Sequence, residues 1–152
     1  MMRSVSDSRA AVDVIIPVYG GVAEVRACLE SVLASTNEVL GNVIVVNDCS
    51  PEPEIGDYLQ RLADAALITL LVNEENQGFV RSCNQGAALR LDHDFVLLNA
   101  DTEVHGDWLD RMAAHARGHP QVATVTPFSN NATIPRYLLG RLARSGKTLL
   151  HV

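Results

Sequence analysis

Along the chain, short unbroken apolar runs alternate with stretches in which apolar residues recur at helical spacing. The first run, "VDVIIPVY" (12–19), ends in Gly20-Gly21, and Val22, Val25, Leu29, Val32 and Leu33 then mark a helix over 22–35. "NVIVVND" (42–48) is a second run, broken by "CSPEP". Pro53 there suits the first position of a helix, whose apolar stripe is Ile55, Leu59 and Leu62. "LITLLVN" (67–73), "DFVLLN" (94–99) and "QVATVTP" (121–127) predict three more strands. Helices are predicted at 79–91, weakened by Gly86 in its interior, and at 106–119, with Trp108, Leu109, Met112 and Ala116 turned inward. Apolar strands alternating with helices predict an α/β fold with a mostly parallel sheet covered on both faces.

In such sheets ligands bind beyond the carboxyl ends of the strands. The strand exits are Pro17-Val18-Tyr19, Asn47-Asp48, Asn73 and Asn99-Ala100-Asp101, so polar groups gather on one edge and two of them are aspartates. A carboxylate at the mouth of a buried strand is costly unless something cationic meets it. Asp101 taken alone is equally a turn residue or a cap for the helix near Gly106. Taken with Asp48 it points to a hard divalent cation, Mg²⁺ or Mn²⁺, because such ions take oxygen ligands and use few protein carboxylates beside substrate phosphates. Asn76, Gly78, Asn84 and Gly86 bracket Arg81. Glycine at a helix start lets a ligand approach the backbone, whose open N–H groups favour anions. An ordinary loop with an incidental arginine is the competing reading.

Composition narrows the partners. The chain has 152 residues, 47% of them hydrophobic, enough for one domain with a true core. Residues 1–133 hold all 18 acids against 8 bases, a net −10, while the rest carries Arg136, Arg141, Arg144 and Lys147, a net +4. An acidic body argues against nucleic acid as partner. No apolar run approaches the roughly 20 residues of a membrane span, and "MMRSVSDSRA" lacks a signal core. Cys28, Cys49 and Cys83 have no metal or disulfide spacing, which predicts a reduced, cytoplasmic protein. "GRLARSGKT" is not a phosphate loop, since Arg141 stands where the first glycine is required. The histidines at 93, 105, 115, 119 and 151 show no common metal spacing, and Asn131-Ala132-Thr133 is a glycosylation sequon by letter only. A receiver-like signalling domain, which also places aspartates at strand ends, would need acids directly after strand one, where "PVYGG" stands.

Assembled, these segments resemble family 2 glycosyltransferases of the GT-A fold. "VDVIIPVYGG" is similar to the family's first strand, whose exit lines the nucleotide pocket, and "VIVVNDCSPEPE" to the second, whose acidic pair contacts base and ribose. "NQGFVRSCNQGAAL" is similar to the helix entry under the nucleotide, "FVLLNADTEVHGDWLDRM" to the metal-binding DxD region, and "VATVTPFSNNATI" to its continuation. Asn47 and Asn99 stand where the first acid of each motif is common.

The resemblance implies a Rossmann-like three-layer sandwich over 12–134, after a loose leader at 1–11 and before a basic tail at 135–152 that matches no part of the family. It implies a nucleotide-diphospho-sugar donor held by Pro17, Val18, Tyr19, Asn47, Asp48, Asn76, Gly78, Arg81, Asn84, Asn99, Ala100 and Asp101, with Asp101 the metal ligand. The reaction would be inverting transfer to an unknown acceptor. The family's catalytic base lies in an acidic motif further downstream, and no Asp or Glu follows Asp110. The expectation is therefore a donor-binding domain whose acceptor half is missing, and which self-associates through an exposed apolar edge. The alternative is a truncated, non-catalytic nucleotide-sugar-binding module.

Overall fold

β-Branched residues dominate the first strand, β1 (Val12–Val18), and both of its faces are buried. Val12, Val14, Ile16 and Val18 enter one apolar cluster and Ile15 enters a second. The computed structural model describes residues 11–119, 121, 124–126 and, as backbone, 149–151. In chain order, α1 (Val22–Ala34), β2 (Leu40–Asn47), α2 (Pro53–Asp64), β3 (Thr69–Val72), α3 (Phe79–Ala88), β4 (Asp94–Leu97), α4 (Trp108–Gly118), β5 (Thr124–Val125) and β6 (Leu149–His151) follow. Of the leader only Ala11, and of the basic tail only 149–151, are among the described residues; the sequon and the stretch expected to cover an apolar edge lie outside them.

The sheet runs β3-β2-β1-β4-β6-β5, and every pairing is parallel. Its two faces are covered unequally. The larger cluster joins β1, β2 and β4 to α1, α2 and α4 through Leu29, Ile55, Leu59 and Leu109, and the smaller packs Ile15, Ile44, Phe95 and Leu97 under α3 through Cys83. Each fully buried side chain of this kind contributes about 1.5–3 kcal/mol. The predicted three-layer α/β arrangement is thus present.

Gly86, read from sequence as a weak point, is where α3 approaches closest. A Cβ there would lie 2.6 Å from Cγ2 of Ile15, so only glycine permits this contact. Two other details differ from expectation. The strand at Leu149–His151, between β4 and β5, comes from a stretch to which the apolar pattern assigned no structure. The fourth helix starts at Trp108, and its first-turn amides of Leu109 and Asp110 donate to Oδ1 of Asn37, not to a local cap. Asp110 returns the contact by accepting the amides of Glu38 and Val39, each at 2.9 Å.

At the amino end of the sheet a second acid is buried. Oδ1 of Asp13 accepts the Asn42 amide (2.7 Å) and faces Nδ1 of His93 (3.0 Å), while Oδ2 is buried without a partner. Arg90 can only donate to Nε2 of His93, so the ring's other nitrogen carries the proton toward Asp13. The apolar run hid this strut, because one acid within "VDVIIPV" looks like an interruption.

Candidate functional site

The sheet order reverses direction at β1, which has β2 on one side and β4 on the other. A switch point of this kind opens a crevice above the strand ends. The Leu98 amide donates to the carbonyl of Ile15, and two residues on Pro17 has no N–H to continue the ladder. A proline is tolerable in this central strand because β1 and β4 part there. The parting opens a cleft of about 390 Å³.

Pro17, Tyr19, Gly20 and Gly21 form one wall, Asn99, Ala100 and Asp101 the other, with Phe79 of α3 and Glu24 of α1 closing the sides. Tyr19 is 59% exposed. Gly20 and Gly21 turn the chain at φ +73 and +81, a region other residues seldom enter, and so bring α1 up to the cleft. The N-terminus of α1 would ordinarily attract a phosphate. Here Oε1 of Glu52 accepts the Gly21 amide at 3.2 Å, Glu24 lies in the first turn, and Oε2 of Glu52 is buried without a partner. The chain's own carboxylates hold that end, and no Lys, Arg or His lines the cleft among the described residues.

The Asp101 turn is anchored from below. The Thr102 amide donates to the carbonyl of Asn99, and Sγ of Cys28 approaches that carbonyl at 3.5 Å. Oγ of Ser31 accepts the Val104 amide at 3.0 Å. Burial pushes the Cys28 thiol up to about 12, with the Asp101 and Glu103 carboxylates adding to the shift and the Thr102 backbone opposing it. The Asp101 side chain is exposed and meets no hydrogen-bond donor among the described residues.

Asp48 is the opposite case. It is only 3% exposed. Its Oδ1 accepts Nδ2 of Asn73 (2.7 Å) and the Gln77 amide (2.8 Å), and its Oδ2 accepts the Gly78 amide (2.8 Å). Burial, the largest single influence on this carboxyl, pushes its pKa up. The donors of Asn73, Gln77, Gly78 and Ser82 together outweigh it, and the carboxyl titrates below its ordinary range.

Of the residues expected at the site, Pro17, Tyr19, Asn99, Ala100 and Asp101 share the cleft. Val18 lies beneath, its carbonyl accepting the Asp48 amide, and buried Asn47 accepts the Ser50 amide on Oδ1. The Gly78 amide, and with it that of Gln77, is not open to an external anion, since Asp48 holds both. Arg81 is exposed and donates to Gln77, and Asn76 and Asn84 are exposed outside the cleft lining. Glu24, Glu52, Phe79 and Gln85 were missed. Only the acids offered a signal, by following the glycine pair and the proline loop.

Among the described residues no group of three or more His, Cys, Asp or Glu is arranged around an ion, and no helix is long and apolar enough to cross a membrane. The donors at the cleft, the unengaged carboxylate of Asp101 and the Asn99 amide beside it, with Glu24 at the side, still suit a cation that draws its other ligands from phosphates and water.

Fold and cleft together define an α/β domain of the GT-A type. The sequence matches the family described as glycosyl transferase family 2 over residues 13–150, and the chain belongs to that family. It is 31% identical over 93 residues to polypeptide N-acetylgalactosaminyltransferase 4 of Caenorhabditis elegans, covering 61% of this chain and 15% of that protein. It is 38% identical over 74 residues to an uncharacterized glycosyltransferase of Haemophilus influenzae, covering 49% and 24%. The chain thus spans less than a quarter of the length of these relatives. Among solved structures, GalNAc-T7 with UDP, GalNAc and Mn²⁺ superposes with a TM-score of 0.68 at 19% identity, covering 79% of this chain and 23% of that one. S. aureus TarS 1–349 in complex with UDP gives 0.66 at 17% identity, covering 86% and 40%. At such identities the likeness is one of fold alone.

Proposed function

We propose that the chain binds a nucleotide-diphospho-sugar through a divalent cation, Mg²⁺ or Mn²⁺, as the donor part of an inverting glycosyltransferase. One observation carries the reading: the switch-point cleft presents the unengaged carboxylate of Asp101 with Glu24 nearby and no cationic side chain among its described lining residues. An anionic diphosphate enters such a site only with a counter-cation. Asp101, with Asn99 beside it, would hold that ion, which when bound neutralises charge building on the leaving diphosphate. Tyr19 offers an exposed ring at the cleft wall, and Asn47 and Asp48 set the nucleoside end from the neighbouring strand exit. An ionised Asp48 accepts hydrogen bonds only, which favours a base presenting an N–H, as uracil does. The neighbours solved with UDP, and with UDP plus Mn²⁺, support this choice of donor and ion.

A second reading, binding without transfer, is favoured by two acids outside the cleft lining. Asp110 is held by the Glu38 and Val39 amides and Glu52 by the Gly21 amide, so neither is placed to take a proton from an acceptor hydroxyl. Calorimetric titration with uridine diphosphate tests the common part of both readings. Binding is expected with Mn²⁺ and not with chelator, and Asp101→Ala is expected to weaken it about 100-fold, near 2.7 kcal/mol. Equal affinity for the variant, or indifference to chelator, would return Asp101 to the role of a turn residue. Acceptor-dependent release of the nucleotide from a donor sugar would then decide between transfer and binding alone.

A further inference from the structure

Asn73, immediately after β3, is gripped from three directions. Its amide donates to the Asn47 carbonyl at 2.9 Å, tying it to the end of β2. Its side-chain Nδ2 donates to Oδ1 of Asp48 (2.7 Å) and to Oε1 of Gln85 (3.0 Å), while its Oδ1 accepts Nε2 of Gln85 (3.0 Å). A carboxylate accepts and cannot donate, so Nδ2 must face Asp48, and that choice fixes the orientation of both amides.

Gln85 is exposed, on the outer side of α3. Water would satisfy an exposed glutamine as well as Asn73 does, and holding the side chain still costs rotamer entropy of about 1.5–2 kcal/mol. What water would not supply is a fixed direction for the Asn73 donor aimed at Asp48. The backbone donors to that carboxylate, the Gln77 and Gly78 amides, lead directly into Phe79, which lines the cleft. A linked set of donors therefore runs from the solvent face of α3 to the nucleoside end of the site. The Asp101 turn is held separately, by Cys28 and Ser31 of α1.

We propose that Asn73 and Gln85 are positioning residues for nucleoside recognition: Gln85 orients Asn73, and Asn73 holds Asp48 in one rotamer at the base end of the donor site. The proposal rests on the donor-binding reading above, and the two separate by experiment. Gln85→Met keeps the bulk on an exposed helical position and removes both amide partners of Asn73. Wild type and variant are titrated with uridine diphosphate and with inorganic pyrophosphate, each with Mn²⁺. In parallel, the carboxyl carbon of Asp48 is followed by NMR against pH with no ligand present.

The variant is expected to bind uridine diphosphate about tenfold more weakly, or 1.4 kcal/mol, with pyrophosphate affinity within roughly twofold. The Asp48 midpoint should rise. Asn73→Ala, which removes the donor itself, should show the same pattern more strongly. Unchanged affinity for uridine diphosphate in both variants, or an equal loss for the two probes, overturns the positioning role. Should wild type bind neither probe, the donor reading fails with it, while a midpoint that still moves in Gln85→Met would establish the link from Gln85 to Asp48 on its own.

Discussion

Asp48 and Asp101 follow the two strands that flank β1, on the same edge of one sheet, and their surroundings are opposite. Asp48 is buried, accepts two backbone amides and the Asn73 side chain, and titrates below its ordinary range. Asp101 is exposed at a cleft and meets no donor of the described chain. The first carboxylate has its charge answered from within, and the second has it answered only by something that arrives. A carboxylate satisfied internally stabilises the fold whatever it also offers a ligand, whereas one left open contributes little to stability.

That contrast breaks most readily on stability. Asp48→Ala removes the acceptor of the part-buried Gln77 and Gly78 amides and one partner of the Asn73 side chain, and its unfolding free energy should fall by about 3 kcal/mol. Asp101→Ala, exposed and unbonded, should stay within about 0.5 kcal/mol of wild type. Urea unfolding measures both, and comparable losses would erase the distinction. Acid sharpens it. The folded pKa of Asp48 lies below the unfolded value of about 3.9, so its contribution is complete above that pH and disappears as pH falls through the folded value. The gap between wild type and Asp48→Asn should therefore hold from neutrality to about pH 5 and close below about pH 4. A gap that did not narrow at all as pH fell below about 4 would mean that packing, not ionisation, accounts for Asp48.

The difference between the two acids was not legible in sequence. The alternation of strands and helices, the apolar runs and the carboxyl edge were, because period and burial are local properties of the chain. The donors that hold Asp48 in place come from 73, 77 and 78, and no spacing rule connects them to "VVND". Glu52 stood out only by its place in the proline loop, since its partner is an amide of Gly21 in another loop. Asp101 was legible for the opposite reason: nothing distant acts on it, so its position after a strand is the whole of its context. The chain after 134 offered no period to read, and the strand at Leu149–His151 could not have been anticipated from it.

Gly86 tests whether the Asp48 side depends on the close approach of α3. Alanine is the better helix former by about 1 kcal/mol, so on propensity alone Gly86→Ala should stabilise. Its Cβ would meet Cγ2 of Ile15 at 2.6 Å, and Ile15 is fully buried between two neighbouring strands with nowhere to move. Overpacking of this kind costs about 1–3 kcal/mol, so a net loss of about 1 kcal/mol is expected in urea unfolding. Displacing α3 also draws Gly78 away from Asp48, so the Asp48 midpoint should rise while the Asp101 side is untouched. A stabilised variant would show that α3 shifts freely and that its contact with β1 does not hold the clasp.

The smallest expected effect concerns a thiol beside each acid, and there the exposure is reversed. Cys49, next to buried Asp48, is exposed; Cys28, beneath the exposed Asp101 turn, is buried against the Asn99 carbonyl. Cys83, on α3, is buried against the sheet. Burial pushes both buried thiols up to about 12, so at pH 8 only about one in ten thousand of either would be the reactive thiolate even if a reagent could reach it. Iodoacetamide should therefore modify one of the three cysteines in the native chain, at Cys49, with the other two following only on opening. Cys28 reacts when the Asp101 turn lifts from α1, and Cys83 when α3 lifts from the sheet, so their rates compare the two sides without any ligand. A turn held by one weak thiol contact and one hydroxyl should open more often than a helix packed through Gly86 onto Ile15. Cys28 is thus expected to be alkylated before Cys83, as read by peptide mass spectrometry over time. The reverse order would mean that the Asp101 turn is the better anchored of the two regions, and that the side built around Asp48 is the one that moves.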